Sequence, residues 1–219
     1  HASISGGGCN KLYSSCSTLS GGYFNTICDA AQGSFLGAGR NNCVCTGSSY
    51  AVLGGGQLNF ALGATHTGLV GGQSNQICAG ANFSFIGAGQ TNVVCDNHSS
   101  IVGGQNNFIS NTSPYSIVSG GCNNRLNGDS SFVGGGRVNI SFGSYSSIVG
   151  GLNNLVDNPS TFNIIGGGRN HIICANSDLN VIVGGSNNTV SGYATSVLGG
   201  NSNQAWCGGS VVGGGTANH

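Results

Sequence analysis

Residues 101–109, IVGGQNNFI, decide the fold, because close variants of this nonapeptide occur fourteen times in a chain of 219 residues. Its seventh residue, Asn107, has counterparts at Asn10, Asn25, Asn42, Asn59, Asn75, Asn92, Asn124, Asn139, Asn154, Asn188, Asn203 and Asn218, with His171 standing in the eleventh copy. Successive anchors lie 15 to 17 residues apart. A unit this short cannot bury its own apolar face and must stack on its neighbours. The expectation is one repeat domain over residues 1–219: all-β, a parallel β-solenoid of about 14 coils of 15–17 residues.

Columns aligned on the anchor support this. Six residues before it every copy is aliphatic, from Ile4 and Leu19 to Val197 and Val212, and two residues after it lies a second apolar column broken by Ser141. Stacked β-branched residues are strand chemistry. Glycine stands three before the anchor in every copy, and four before it in all but two, where Ala38 and Ala88 replace it. A turn with positive φ, or close backbone approach, accounts for such a pair, and no helix survives it. Coils stacked about 4.8 Å apart give a rod of roughly 65 Å. Within it Asn25, Asn42, Asn59, Asn75, Asn92, Asn107, Asn124, Asn139, Asn154, Asn188 and Asn203 are expected to form a hydrogen-bonded amide ladder.

Composition narrows function. There are 43 glycines, only 5% charged residues and no net charge, so neither a nucleic-acid backbone nor an anionic membrane finds a basic track. No apolar run reaches the roughly 20 residues of a membrane span. The chain shows neither signal peptide nor initiator methionine, which reads as a mature product or a fragment. Ten cysteines in so uncharged a chain favour an oxidising compartment: extracellular, at a cell surface or on a virion.

Length variation falls in one corner between coils, which is expected to be exposed. That corner or its edge holds all five aspartates and three sequons, so Asn82, Asn97 and Asn111 are possible glycosylation sites; Asn139 and Asn187 begin two more. Seven and five residues before the anchor, side chains alternate with the core column and face the other way, yet many are bulky. They compensate: Phe35 goes with Gly37 and Phe85 with Gly87, whereas Gly68 goes with Val70 and Ser147 with Val149. Constant volume per coil argues for packing against another chain, ideally in a closed homotrimer. The alternative is a monomer with a two-sided interior.

Cys28, Cys45, Cys78, Cys95 and Cys174 lie three residues after an anchor. Adjacent coils bring such residues within bridging reach, which predicts Cys28–Cys45 and Cys78–Cys95 as coil-to-coil staples. Interchain bonds and free thiols remain open. Two residues before the anchor, Arg40, Gln57, Gln73, Gln90, Gln105, Arg137 and Arg169 form the candidate binding face for glycan or protein, with plain solvation as the alternative. The aromatic column nine before the anchor, Tyr50, Phe83, Tyr115, Tyr145 and Phe162, reads as strand-entry packing in preference to a sugar platform, and His66 and His98 as solvated corner residues. No catalytic, metal or cofactor site is expected. The aspartates are scattered, glutamate is absent, His171 fits a ladder substitute, and the Cys43–Cys45 motif lacks a second ligand cluster.

Copies such as SSIVGGQNN, SSFVGGGRVN and SSIVGGLNN resemble the heads of trimeric autotransporter adhesins of the YadA type and related phage and viral fibre repeats. The resemblance spans essentially the whole chain. It implies a left-handed β-roll, association in threes, and a head or fibre segment that attaches to a host-surface protein or glycan. The family's usual coil is nearer 14 residues, and the chain carries no coiled-coil stalk and far more cysteine. The second functional class, a single-chain ice-binding solenoid, needs a flat face of regular threonines. Here the small polar column eight before the anchor is mostly serine.

Overall fold

The computed structural model describes residues 1–219 and contains no helix. Each strand is two residues long. One strand per coil comprises the residues seven and six before the anchor, as in Phe35–Leu36, and the other the two residues after it, as in Cys43–Val44. Fourteen strands of the first kind and thirteen of the second make two parallel sheets, a β-solenoid of about 13 turns.

The contacts divide the chain into two compact units, His1–Pro114 and Tyr115–His219. In the first, the strands from Ser3–Ile4 to Ser100–Ile101 pair in one parallel sheet and those from Lys11–Leu12 to Phe108–Ile109 in the other. The second unit repeats the arrangement from Ile117–Val118 to Val211–Val212 and from Arg125–Leu126 to Gln204–Ala205. Register follows the anchors: Phe35 pairs with Val52 and Leu36 with Leu53.

Strands are short because left-handed residues interrupt them at fixed places. The glycine three before the anchor has positive φ, 102° at Gly39, and the residue one before it does too, 56° at Asn41. A third left-handed residue, nine before the anchor, turns the variable corner; Tyr50 there has φ 58°. The glycine is obligatory at Gly39, where an added Cβ would lie 2.1 Å from the Gly56 carbonyl oxygen. Its neighbour four before the anchor is different. An added Cβ at Gly71, Gly120, Gly135, Gly150, Gly167, Gly184 or Gly199 meets nothing within 4 Å, and none of these has positive φ. In these seven coils only one glycine of the pair is thus explained inside the chain.

Both aliphatic columns are core: Leu36, Leu53, Ile77, Ile86, Ile148 and Ile165 are fully buried, each worth roughly 1.5–3 kcal/mol. The anchor asparagines from Asn25 to Asn107 and from Asn124 to Asn203 are buried with them. The Asn59 Nδ2 donates to the Gly55 carbonyl of its own coil and to the Gly72 carbonyl of the next, both at 2.9 Å, while its Oδ1 accepts the Asn75 amide at 3.0 Å. The amide ladder expected from sequence is present, and its second donor ties each coil to its neighbour.

A second buried polar ladder was not foreseen as such. Eight residues before the anchor, Ser17, Ser34, Ser84 and Ser99 in one unit and Ser116, Ser131 and Ser146 in the other are buried. The Ser34 Oγ donates to the Ser48 carbonyl at 2.8 Å and accepts the Ala51 amide at 3.0 Å. Small hydroxyls beside an aliphatic column were the available signal. Their burial removes this column from consideration as a surface for ice.

Candidate functional site

With both ladders buried, the exposed columns are what the chain presents to other molecules. The first is apolar. In unit one Phe35, Val52, Val70, Phe85 and Val102 are exposed, and in unit two Ile117, Val149, Ile164, Val183, Leu198 and Val211. Strand alternation sends these side chains away from the core. The exposed set amounts to something on the order of 400 Å² per unit, comparable with the largest apolar patch of a typical monomer, which is often functional.

In the phenylalanine coils the alternation of large and small on this face has a cause within the chain. The Phe35 ring leans over Gly37, 3.4 Å from the place of its missing Cβ, and Phe85 over Gly87 likewise. A Cβ on Gly37 would also lie 2.2 Å from the Gly54 carbonyl oxygen. At Gly37 and Gly87, one ring covers its own coil and the stacked carbonyl of the next coil excludes a Cβ. What persists is an exposed, levelled apolar strip beside a row of glycines that nothing inside the chain requires.

The candidate binding face forms a polar ridge. Arg40, Gln57, Gln73, Gln90 and Gln105 are linked by single-residue parallel bridges in the first unit, and all are exposed. Gln105 Nε2 donates to Gln90 Oε1 at 3.3 Å. In the second unit the same bridges place Leu152 between Arg137 and Arg169, so the ridge there is mixed. Beside it Asn153, Asn170, Asn187 and Asn201 form an exposed amide chain at 3.1, 3.0 and 3.3 Å. Serial amides at a fixed spacing suit repetitive hydrogen-bonding partners.

The corner rings are exposed and stacked, not packed at the strand entry as expected. Tyr50, His66, Phe83 and His98 follow one another with centroids 4.9, 5.0 and 5.1 Å apart, and Tyr145 stacks on Phe162 at 5.1 Å. His66 and His98 thus belong to the aromatic column. Offset stacks are favourable, and because the rings cover one another's faces, a sugar finds edges in place of platforms.

Cys78 and Cys95 form the expected disulfide. The second expected staple is absent: Cys28 and Cys45 are free. The reason is a third sulfur, Cys43, whose Sγ lies 2.7 Å from Cys45 Sγ and 3.7 Å from Cys28 Sγ. In the other pair Val93 holds the equivalent position. Cys174 stands beside Asp157, and burial followed by that charge raises its thiol pKa.

The remaining candidates resolve individually. Asn82 Oδ1 accepts from the Thr65 amide and hydroxyl, and Asn97 Oδ1 from the Asn82 amide, so both sequon asparagines brace the corner, whereas Asn111 is exposed. Asn139 is fully buried. Asp96 and Asp178 accept backbone amides of Ser113 and Thr161 at 2.8 and 2.7 Å, which explains aspartate at corners. His171 continues the ladder: its amide donates to Asn154 Oδ1 at 3.0 Å, and its Nδ1 accepts the Asn188 amide at 3.2 Å. Its buried Nε2 faces the Gly185 backbone without a well-formed hydrogen bond, and burial, outweighing the backbone contacts with Gly185 and Asn188, lowers its pKa.

No family model matches the chain, and no curated protein matches it.

Proposed function

We propose that this chain is a stiff extracellular β-solenoid that associates with copies of itself through the apolar strip and serves as an adhesive head or fibre segment, in the manner of the YadA-type repeats its sequence resembles. The observation that carries this reading is the unexplained glycine row. Position four before the anchor tolerates a Cβ, as Ala38 and Ala88 demonstrate, and has open space around it at Gly71 and Gly135. Glycine there lets an outside backbone come close, next to exposed Val70 and Val149. A second copy is the fitting occupant. A surface that repeats once per coil is matched along its length only by one with the same period, and this chain supplies that period. Three copies about one axis close the contact.

Attachment is assigned to the polar ridge, which this arrangement leaves in solvent. The experiment is a bead-adhesion assay on host-matrix proteins and immobilised glycans, comparing the protein with a quadruple Gln57→Ala, Gln73→Ala, Gln90→Ala, Gln105→Ala variant. Adhesion that falls at least tenfold in the variant supports the reading, and adhesion unchanged by it refutes the ridge. A single-chain glycan-binding role is the second reading, favoured by the same glutamines; it predicts ligand binding by a protein of monomeric mass.

A further inference from the structure

The three free sulfurs at Cys28, Cys43 and Cys45 have no part in docking or in the ridge. Cys28 and Cys45 occupy the same stacked columns as the bonded Cys78 and Cys95, since Thr26 pairs with Cys43 and Ile27 with Val44 just as Gln76 pairs with Val93 and Ile77 with Val94. Bridging geometry is therefore available to them. Cys43 intervenes because it lies on the same outward face two residues before Cys45, with its sulfur between the other two at 3.7 and 2.7 Å. Each of the three is partly exposed. Phe60, the next coil's counterpart of Cys43, flanks the cluster on one side and Thr26 on the other.

We propose that this cluster is a thiol–disulfide exchange site that reacts with small dialkyl disulfides, with Cys45 as nucleophile, Cys43 as resolving thiol and Cys28 as acceptor of the bond. The two adjacent thiols are not equivalent. The contact between the two sulfurs lowers the Cys45 pKa, while that same interaction, with burial, raises the Cys43 pKa. The thiolate is the attacking species. Cys45 Sγ⁻ attacks one sulfur of R–S–S–R, forming Cys45–S–S–R and releasing RS⁻. That thiolate takes the Cys43 proton, and Cys43 Sγ⁻ then attacks Cys45 Sγ, closing Cys43–Cys45 and expelling a second RS⁻, which picks up a proton from water. The protein loses two electrons and the disulfide gains them. Cys28, 3.7 Å from Cys43, next gives its proton to the hydroxide left by that step, and its thiolate attacks Cys43 Sγ, so that the bond moves to Cys28–Cys43 and Cys45 leaves as a thiolate.

The test uses the full chain, reduced and then freed of reductant, with oxidised glutathione as the probe, acid quenching, alkylation and mass-spectrometric mapping. In the wild type, Cys45 is expected to alkylate about tenfold faster than exposed Cys9 at neutral pH, as befits a lowered thiol pKa. Glutathione is expected to yield Cys43-containing disulfides without a lasting adduct. In Cys43→Ser the mixed disulfide is expected to persist on Cys45. Reaction of Cys45 no faster than Cys9 overturns the proposal, as does an adduct that settles on Cys28, or closure of Cys28–Cys45 with Cys43 never linked. The wild-type alkylation rate decides the matter even if the serine variant fails to fold.

Discussion

His171→Asn is a stabilising substitution in a chain where most ladder changes should be ruinous. At anchors such as Asn59, Asn139 and Asn188 the Nδ2 reaches two carbonyls; at Asn188 these are Gly184 at 3.0 Å and Gly200 at 3.2 Å. The imidazole keeps the acceptor role through Nδ1 but leaves Nε2 buried without a well-formed hydrogen bond. Restoring asparagine adds a hydrogen bond to the Gly167 carbonyl and replaces the poorly formed Nε2 contact with Gly185 by a well-formed one, for a net gain of about 1 kcal/mol after allowing for the smaller side chain. The pH dependence is the sharper readout. Burial lowers the His171 pKa from its ordinary 6.5, so the unfolded chain binds the proton more readily than the folded one. Stability from this residue is complete above the unfolded value and is lost as pH falls below it, with a slope approaching about 1.4 kcal/mol per pH unit down to the folded value. Urea unfolding at pH 7.5 and 5.0 should show the wild type losing stability on acidification and His171→Asn losing less. A variant less stable than wild type at pH 7.5, or one with the same acid loss, would refute the ladder account of this residue.

Three further outcomes follow from the same geometry. Asn75→Ala removes donors to Gly71 and Gly89 and the acceptor of the Asn92 amide, and should cost about 3 kcal/mol or more in a urea melt, whereas exposed Asn153→Ala should cost under about 0.5 kcal/mol. Gly136→Ala should prevent folding, because the new Cβ would lie 2.1 Å from the Gly151 carbonyl oxygen, while Gly135→Leu, whose side chain projects well beyond the Cβ that Ala38 and Ala88 already carry in this row, should fold with an unchanged circular dichroism spectrum and lose self-association. Cys78→Ser opens a link across 17 residues and should lower stability by about 3 kcal/mol under oxidising conditions, with no effect once the wild type is reduced.

The repeat made the architecture readable. A period of 15–17 residues, two aliphatic columns and an invariant glycine set coil length, strand positions and core, because stacking forces equivalent residues into equivalent environments. The left-handed positions one and nine before the anchor were hidden, since Phe24, Leu58, Val138, Cys16 and Leu179 occupy them as readily as asparagine. Backbone strain spread over every coil leaves no single-residue signature when neighbouring coils impose it. The ring stack was half visible: His66 and His98 fill gaps in the aromatic column that a search for Tyr and Phe leaves open. The cysteines show the limit of column logic. Cys28–Cys45 and Cys78–Cys95 are indistinguishable by register, and the outcome turns on Cys43 against Val93 two residues away. The glycine four before the anchor gained meaning only from coordinates, which separate it from its obligatory neighbour.

Native mass by light scattering across a range of concentrations, for the wild type and for Gly135→Leu combined with Gly150→Leu, tests the central claim most directly. The account predicts a wild-type mass of three chains, retained in reductant, and a variant that is folded and monomeric. A wild type that remains a monomer at all concentrations, or a variant with the wild-type mass, would contradict association through the apolar strip and its glycine row.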